Sequence, residues 1–390
     1  MNDREVSKSR KPRICHLIHL DGAGGGPVVV VDHLKAFAGE FELSAIHGGS
    51  GRIAETCEQL GIPHWQLPIA RLAQLPFGIA AMVSRLRKLQ PDLVVLHGQW
   101  AGPAGALAAR LAGVPHLIYI CHWPSFYTDW DLGRVVRNRL AEMLPCRWAD
   151  RVVMLSRGNA YQFLIRQLVA PEKLRLIHNS MDLARVPPPQ RVAEIRAAHG
   201  WSDAHVHVVS VGRLSDQKRL DWLLRSWQLV APRAPQARLW IIGEGPERPA
   251  LELLATELGI TNSCAFLGPQ PRGIEFIAAA DIVAMTSLYE GHANIPLEAM
   301  ACRRAIVASA VDGIVDSYRD ESEGFLVPPG DCSLFAERLA QLIADPALRR
   351  TMGERGRERA REFSPEKTMG RYRDLIHEVL ASPCEADAQS

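Results

Sequence analysis

Residues 287–302 have the sequence SLYEGHANIPLEAMAC, in which seven residues separate Glu290 from Glu298. The pattern predicts a loop that leaves a strand and enters a helix, because Asn294 can cap a helix, Pro296 suits a first turn and LEAMAC favours helix. Glu298 is then expected in the first turn and Glu290 on the preceding loop. Free backbone amides and the helix dipole favour an anion such as a diphosphate at this end. Because carboxylates repel phosphate, the two glutamates are predicted to bind hydroxyl groups, as on a sugar and a ribose.

The composition is that of an ordinary globular protein. With 390 residues, 47% of them hydrophobic, the chain is long enough for two domains that each bury a core. Its net charge of +2 gives no reason to expect nucleic acid as a partner. The eight cysteines form neither a C-x-x-C pair nor a His/Cys cluster with metal-ligand spacing. This usage indicates reduced thiols in a cytosol-like compartment and argues against a structural zinc site.

The apolar runs of the chain bear on membrane contact. The first residues, MNDREVSKSRKPR, are polar and basic, and His16, His19 and Asp21 interrupt the apolar run that follows, so a signal peptide is not predicted. No run approaches the roughly 18 consecutive apolar residues of a membrane span. We therefore expect a cytoplasmic protein whose membrane contact, at the inner face of the cell membrane, would be peripheral.

Strand and helix patterns alternate through the first half of the chain. ICHLIHL (14–20) is predicted to be a buried strand, followed by DGAGGGP (21–27) and an apolar helix. Gly24, Gly25 and Gly26 let the backbone approach other backbone or a ligand closely, and a tight strand-to-helix turn explains them equally well. The run matches neither G-x-G-x-x-G nor a P-loop. Continued alternation predicts a parallel sheet covered on both faces.

Two histidines and a basic helix follow in this half. His97 ends VVLH and His122 follows HLIYIC, so both are expected at the carboxyl edge of the sheet, where ligands bind. A loop histidine is nevertheless more often structural or simply exposed. The helix GRVVRNRLAEMLPCRW then combines apolar residues with Arg134, Arg137, Arg139 and Arg147. A solvated face is the ordinary explanation, and a surface for anionic lipid is the alternative.

A second alternating series begins at VHVVSVGR, residues 206–213. Prolines 187–189 and weak periodicity over 184–199 favour a linker before it. The two halves have similar patterns and different motifs. We therefore predict an α/β protein of two Rossmann-like, doubly wound parallel-sheet domains facing a cleft.

Two cations follow the first strand of the second half. VGRLSDQK places Arg213 and Lys218 on one loop, where they could neutralise a diphosphate leaving group. Isolated surface charges would carry no such meaning, and two glutamates eight positions apart are common in helices. The order of motifs supplies the meaning: VGR and Lys218, then GEGP with Gly243, FLG, AAAD and the glutamate pair. This order resembles the family-4 retaining glycosyltransferases of the GT-B fold, from the strand at 14 to about residue 370.

The resemblance implies a role for each matching residue. Arg213 and Lys218 would bind the donor diphosphate. Glu290 would contact hydroxyls of the transferred sugar, and Glu298 would bind the nucleotide ribose. The glycines at 24, 25 and 26 would approach the phosphates or the acceptor, while His122 would meet the sugar near the reaction centre. The rest of the expected donor site comprises Gly243, Gly291, His292, Ala293, Asn294 and Ile295.

The resemblance also implies partners and boundaries. The donor would be a UDP- or GDP-linked sugar, with no metal ion or other cofactor, and the basic helix suggests a lipid-linked or saccharide acceptor, as in envelope or exopolysaccharide assembly. The acceptor domain is predicted at 13–190 and the nucleotide-sugar domain at 191–365. A helix at 366–381 would cross back to the N-terminal domain, and tails are predicted at 1–12 and 382–390.

Three departures from the family pattern leave an alternative open. Ser180 and Arg303 replace glycines, and Asp312 replaces the first residue of a Gly-Gly pair. The last two changes are expected beside the donor pocket. The alternative is a catalytically degenerate sugar-nucleotide-binding or scaffolding protein of the same fold. A dinucleotide-dependent oxidoreductase is disfavoured, because the G-x-G-x-x-G motif and its acidic partner are missing.

Overall fold

The computed structural model describes residues 10–19, 25–67, 75–98, 101–123 and 132–383. The chain divides into two compact units. The first comprises Met1–Leu155, Asn159–Ile177 and Met369–Ser390, and the second comprises Ser156–Gly158 and His178–Thr368. Among the described residues, no helix is both long enough and apolar enough to cross a membrane.

A parallel sheet forms the centre of the first unit. Its described strands are β1 (Arg13–Ile18), β2 (Glu42–His47), β3 (His64–Gln66), β4 (Leu93–His97), β5 (His116–Cys121), β6 (Arg151–Met154) and β7 (Leu174–Leu176). They are arranged in the order β3-β2-β1-β4-β5-β6-β7. The helices between them are α1 (Gly25–Phe37), α2 (Arg52–Leu60), α3 (Leu75–Leu89), α4 (Ala101–Ala112), α5 (Leu132–Trp148) and α6 (Arg157–Ile165).

Both faces of this sheet are covered. Successive residues of a strand point to opposite faces. In β1, Cys15 and Leu17 therefore join one hydrophobic cluster, while Ile14 and Ile18 join another. A strand that is apolar on both faces is typical of a doubly wound parallel sheet. This explains why ICHLIHL is a nearly continuous apolar run.

The second unit has the same architecture. Its helices are α7 (Pro189–Ala198), α8 (Leu220–Val230), α9 (Arg248–Glu257), α10 (Gly273–Ala279), α11 (Asn294–Ala301), α12 (Cys332–Ala344) and α13 (Pro346–Ala360). Its described strands are β8 (Val206–Val211), β9 (Ala237–Ile242), β10 (Cys264–Gly268), β11 (Ile282–Met285), β12 (Ala305–Ser309) and β13 (Gly324–Val327), all parallel, in the order β10-β9-β8-β11-β12-β13. Neighbouring Val208 and Val209 again join different clusters. The prediction of two doubly wound parallel sheets is confirmed.

The last helix, α14 (Pro365–Leu380), returns the chain to the first unit, to which Met369 and the following residues belong. Tyr372 and Ile376 on α14 are buried in the same hydrophobic cluster as Leu34 of α1. An ion-pair fork adds to this packing, because Glu378 accepts hydrogen bonds from Arg151 and Arg175. The helix predicted at 366–381 thus begins one residue earlier and ends one residue earlier.

The prediction of a linker around the three prolines is wrong, because two of them stand at the start of a helix. Pro188 and Pro189 stand at the start of α7, where their fixed φ suits a helix N-terminus. Met181 and Ile195 on either side are buried in a cluster of the second unit. The units therefore divide at residues 177 and 178, before the predicted boundary at 190. These prolines therefore belong to the start of a helix and do not form a linker.

Candidate active site

The start of α11 differs in detail from its prediction. Ala293 is the N-cap residue and makes no side-chain cap, so Asn294 is the first residue of the helix. Glu298 is the fifth residue and lies in the second turn, not the first. The side chain of Asn294 makes a different contact, because its Oδ1 accepts a hydrogen bond from Asn179 Nδ2 (3.1 Å), which also donates to the His292 carbonyl (2.7 Å). A buried amide therefore holds the loop that enters the helix.

Lys218 and Glu290, both predicted as catalytic, form an ion pair. Lys218 Nζ donates to Glu290 Oε1 over 2.6 Å, and the glutamate is only 8% exposed. A buried charge destabilises the fold unless it is paired and hydrogen-bonded. Each of these two residues therefore offsets the cost of burying the charge of the other. A carboxylate has about four acceptor positions, so the bond from Lys218 does not by itself prevent the group from accepting a hydroxyl.

Backbone contacts align the two loops that carry this pair. Thr286, just after β11, donates its hydroxyl to the carbonyls of Lys218 (3.0 Å) and Arg219 (2.9 Å). Gln217 donates its side-chain amide to the Tyr289 carbonyl (3.0 Å) and accepts from the Leu288 amide (2.8 Å) at its own carbonyl. The 216–219 segment and the 286–290 loop are therefore joined on both sides of the ion pair.

Arg213 lies on the same loop as Lys218 and is exposed. Within the described part of the chain its guanidinium has no hydrogen-bond or ion-pair partner. A guanidinium presents five donors in a planar fork that matches phosphate geometry. The loop after β8 thus offers one cation held by a carboxylate and one that is available to an anion.

Two glycines of this unit are required by close backbone approach. A Cβ placed on Gly243 would lie 1.8 Å from the Gly212 carbonyl oxygen, and Gly243 also has a φ of 142°. A Cβ on Gly313, which has a φ of 82°, would lie 2.3 Å from the Gly291 carbonyl oxygen. L-residues with side chains rarely adopt such angles. Gly243, predicted to bind the donor, thus has a structural reason to be glycine, while Gly313 fits against the predicted donor loop.

His292 is buried at the centre of the predicted donor loop. Its ring stacks on that of His178 with centroids 4.8 Å apart and packs against Phe363. Burial, with a smaller contribution from His178, lowers the pKa of His292 to about 3, so its ring is neutral at neutral pH. The side chain therefore supports the loop as a packed aromatic ring and supplies no positive charge.

In the first unit, His122 and part of the glycine-rich loop come together. Gly25 and Gly26 are the first residues of α1, and a Cβ on Gly26 would lie 3.5 Å from His122 Cδ2. Gly24 lies outside the described residues. The His122 ring stacks on that of His97 with centroids 5.6 Å apart. Burial, with a smaller contribution from His19, lowers the pKa of His122 to about 4, so the ring can contact a hydroxyl but carries no charge near neutral pH.

The basic helix α5 has an apolar stripe. Val136, Leu140, Met143 and Leu144 are all exposed, and their spacing of four, three and one places them on one helix face. Of the predicted arginines, Arg137 and Arg147 are exposed, while Arg139 donates to the Arg166 carbonyl (3.1 Å). For Arg134 the structure describes only its position in the helix. The solvated-face explanation is incomplete, because a solvated face would be polar.

The chain matches known proteins over most of its length. Residues 192–359 match the family model described as glycosyl transferases group 1, and residues 23–185 match that of glycosyltransferase family 4. The lipopolysaccharide core biosynthesis glycosyltransferase LpsE of Rhizobium meliloti is 33% identical, over 92% of this chain and 97% of that protein. A D-inositol 3-phosphate glycosyltransferase of Saccharomonospora viridis is 30% identical, over 81% and 78% respectively.

This chain is a family-4 glycosyltransferase. The crystal structure of Anabaena Alr3699/HepE in complex with UDP and glucose superposes with a TM-score of 0.84 and covers 94% of this chain and 100% of that one, at 23% identity. That likeness shows the fold, which is the GT-B fold that the motif order predicted.

Within this glycosyltransferase, the three departures have different structural settings. Ser180 is not among the described residues with a positive φ, so its position needs no glycine. Arg303 does adopt a left-handed φ of 57°. It follows the C-terminal end of α11, a helix roughly 12 Å long, and donates to Glu354 (3.1 Å). Arg303 is thus remote from the helix N-terminus, against expectation, whereas Asp312 directly precedes Gly313.

Three residues that hold this site were not predicted from the sequence: Asn179, Gln217 and Thr286. Asn179 directly precedes Ser180, one of the departures from the family pattern, and no role was predicted for it. Gln217 and Thr286 contact residues 72 and 68 positions away. No local pattern distinguishes a polar side chain that makes such a contact from one that is solvated.

Glu298 also has a partner that the sequence did not indicate. Its carboxylate lies 3.9 Å from the Arg185 guanidinium, a long ion pair whose arginine is partly exposed. Such a pair contributes little energy. The contact with Arg185 therefore does little to fix the Glu298 carboxylate in one position.

Proposed function

We propose that this glycosyltransferase transfers a sugar from a nucleotide diphosphate sugar to a hydroxyl of a lipid-linked or saccharide acceptor, with retention at the anomeric carbon and without a metal ion. The HepE structure contains UDP and glucose, and LpsE is named for lipopolysaccharide core biosynthesis; both support this assignment. A UDP-linked donor and a role in envelope saccharide assembly follow, with GDP as the second donor class.

The observation that carries the proposal is the pairing of Lys218 with Glu290 on a loop that also bears Arg213, which has no side-chain partner among the described residues. Departure of a nucleotide diphosphate develops negative charge on its phosphate. Arg213, Lys218 and the amides at the start of α11 can stabilise that charge as it develops, which accelerates the reaction more than uniform binding would. These cations take the place of a metal ion.

Glu290 has two roles in this mechanism. It keeps the Lys218 ammonium in place, and its remaining acceptor capacity binds hydroxyls of the transferred sugar. A double displacement would need a carboxylate that attacks the anomeric carbon, and no other carboxylate is assigned that role. We therefore favour front-face transfer. In that route the acceptor oxygen bonds to the anomeric carbon as the bond to the phosphate breaks, and the departing phosphate takes the proton of the acceptor hydroxyl. His122 contributes a neutral hydrogen-bonding ring near the sugar, and Glu298 binds the ribose.

A thermal-shift panel tests donor binding first. UDP, GDP and ADP, with their glucose, N-acetylglucosamine, galactose and mannose conjugates, are compared with and without a chelator. A ligand far above its dissociation constant should stabilise the protein by a few kcal/mol. The proposal expects a shift with one nucleotide class that the chelator leaves unchanged. No shift with any ligand would favour the degenerate protein instead, and Asp312→Gly would then be the first reversion.

Chemistry is tested next, with the nucleotide that gives the shift. Slow donor hydrolysis is expected from a transferase and not from a scaffold. NMR of the product gives the anomeric configuration, and inversion would contradict the retaining assignment. Glu290→Ala should abolish transfer and leave binding of the nucleotide diphosphate largely intact. Full activity in that variant would remove Glu290 from the mechanism.

We further propose that the apolar stripe of α5 contacts an anionic membrane at its cytoplasmic face, where a lipid-linked acceptor would lie. Exposed apolar residues beside arginines combine burial with electrostatic attraction. Co-sedimentation with anionic vesicles should weaken in Leu140→Ser and in an Arg137→Ser/Arg147→Ser double variant, and should be unchanged in Arg225→Ser, which alters an exposed arginine of α8. Equal retention of all four proteins would contradict this contact.

A further inference from the structure

Three buried histidines converge under one face of the first sheet. His16 lies on β1 and His97 on the adjacent β4, in parallel register two residues apart, so both side chains point to the same face. Helix α1 covers that face and contributes His33. All three are at most 1% exposed. The fold thus brings together residues that are 17 and 64 positions apart in sequence, a spacing that no metal motif would reveal.

The nitrogens of this cluster are poorly satisfied. His16 Nδ1 and His97 Nε2 lie 3.1 Å apart, which accounts for one nitrogen of each ring. Among the described residues, His16 Nε2, His97 Nδ1 and both nitrogens of His33 have no hydrogen-bond partner. Each unsatisfied buried polar group costs about 1–3 kcal/mol. The close neighbours of the His33 ring are other rings, with that of Tyr372 at a centroid distance of 4.3 Å.

Protonation does not relieve this arrangement. Burial lowers the pKa of His16 to about 4 and the pKa values of His33 and His97 well below the ordinary value, so all three rings are neutral near pH 7. Neutral imidazole is the form that binds a transition metal. One nitrogen from each ring lies within 4.8 Å of one from each of the others.

We propose that His16, His33 and His97 bind a zinc ion. With zinc–nitrogen bonds of about 2.0–2.1 Å in a tetrahedron, ligand nitrogens lie roughly 3.4 Å apart. The nitrogens of His16 and His97 already approach this spacing. His33, whose ring nitrogens have no hydrogen-bond partner among the described residues, would complete the set by rotation of its side chain. Three nitrogen ligands leave a fourth position for water. The ion would join β1, β4 and α1 beside His122, and the inference does not rest on the proposed transfer reaction.

Metal uptake by the tag-free protein tests the site. The protein is stripped with a chelator, titrated with Zn²⁺ or Co²⁺ and passed through a gel-filtration column, and bound metal per chain is measured by mass spectrometry. One ion per chain is expected, and the cobalt form should show the intense visible absorption of tetrahedral coordination. His33→Leu should lose affinity on the order of 100-fold or more, because a direct ligand matters at least as much as the groups that support it.

A second histidine pair provides the matched control. His47 Nε2 and His64 Nδ1 lie 2.9 Å apart with stacked rings, but in the described chain no third ligand completes a group of three with them. His64→Leu should therefore keep the full stoichiometry. Zinc should also raise the melting temperature of the wild-type and His64→Leu proteins and not that of His33→Leu.

Two results would overturn the site. One is a wild-type protein that retains no metal after gel filtration. The unsatisfied nitrogens of the cluster would then be explained by hydrogen bonds to a buried water molecule. The other is His33→Leu binding as tightly as wild type, which would place the metal elsewhere. The cobalt spectrum of the wild-type protein gives an answer even if a variant fails to fold. Failure of the donor panel would leave all these outcomes unaffected.

Discussion

The two parallel sheets have the same architecture, yet their carboxyl edges have different chemistry. On β1, at the end of β4 and just after β5 the described residues supply imidazoles, namely His16, His97 and His122, which are neutral near pH 7. Beyond β8 and β11 they supply charges, namely Arg213, Lys218 and Glu290. The difference shows two ways in which one fold can bury ionisable groups. The imidazole rings stay neutral, and the buried glutamate is paired with a lysine.

This difference matches the proposed division of roles between the edges. A departing diphosphate needs positive charge, so donor chemistry belongs at the second edge. A sugar hydroxyl near the reaction centre needs hydrogen-bonding groups that do not compete for the phosphate, and the neutral ring of His122, proposed to lie near the sugar, satisfies this requirement. Variants that remove one contribution at a time can test the contrast.

A large loss of activity, short of the complete loss expected for Glu290→Ala, should follow from removal of the paired cation. Lys218→Met keeps the length of the side chain and loses its charge, so kcat is expected to fall about 10²–10³-fold, as when other groups that stabilise a developing anion are removed. Steady-state kinetics with the donor identified by thermal shift measure this. The loss should appear mainly in kcat, because the charge acts most strongly on the transition state.

Two variants check that first prediction. Arg225→Met removes an exposed charge on α8 of the same unit and should leave kcat unchanged. Lys218→Met also leaves Glu290 without its lysine in a buried position, so its melting temperature must be measured. Lys218→Met/Glu290→Gln restores neutrality, and recovered stability without recovered activity would separate the two effects. A kcat near that of wild type in Lys218→Met would show that the charged edge does not perform the chemistry.

A backbone contact of the same edge gives the second prediction. In Gly313→Ala the new Cβ would collide with the Gly291 carbonyl, and the positive φ would be strained, so we expect a loss of about 3 kcal/mol in unfolding free energy. Urea unfolding measures it. Gly39→Ala is the matched control in the first unit, because nothing lies within 4 Å of its added Cβ. Equal stability of the two variants would mean that the backbone at residues 290 and 291 can move away from the new Cβ at little cost in free energy.

The sequence predicted most of the architecture because that information is local and repeated. Apolar runs such as VVLH and VHVVSV, each followed by turn residues and a helical pattern, are sufficient to predict parallel sheets covered on both faces. The order of VGR, Lys218 and the Glu290/Glu298 pair predicted the family, and the structure adds a contact between Lys218 and Glu290 that the order did not predict.

Prediction from the sequence failed for contacts between residues that are far apart along the chain, and for prolines that suit both a linker and a helix start. Nothing in the local pattern connects Asn179 to the His292 carbonyl or gathers His16, His33 and His97, because these contacts depend on tertiary packing. Prolines 187–189 are compatible with both a linker and a helix start, and packing of Ile195 decides for the helix. Asn294 is a good capping residue by type, but Asn179 binds its side chain instead.

The third prediction concerns a neutral ring at the charged edge. The pKa of His292 is about 3 in the folded protein, against 6.5 for the free side chain. Below pH 6.5 the unfolded chain takes up a proton that the folded protein does not bind. Stability is therefore complete above that pH and falls as the pH decreases toward 3, by about 2 kcal/mol at pH 5 from this residue.

Urea unfolding at pH 7 and pH 5 tests this. In His292→Phe, which keeps an aromatic ring against His178 and Phe363, the decrease should be smaller by that amount, since the other titrating groups are common to both proteins. An identical decrease in both proteins would show that the fold does not resist protonation of His292, and that this ring is not held neutral at the charged edge.

The smallest effect is expected far from both edges, where α14 is held to the first unit. Burial alone would raise the pKa of Glu378, but hydrogen bonds from Arg175 and Arg151 outweigh it and lower the pKa below 4.5. Because the fork is partly exposed and screened, Glu378→Gln should cost only about 1 kcal/mol. Asp374→Asn, an exposed carboxylate of the same helix, should cost nothing measurable. The folded pKa is depressed, so the contribution of Glu378 is present above pH 4.5 and is lost as the pH falls below it. The stability difference between wild type and Glu378→Gln should therefore shrink in acid and at high salt, and a difference that persisted in both would indicate packing, not charge, as the role of this residue.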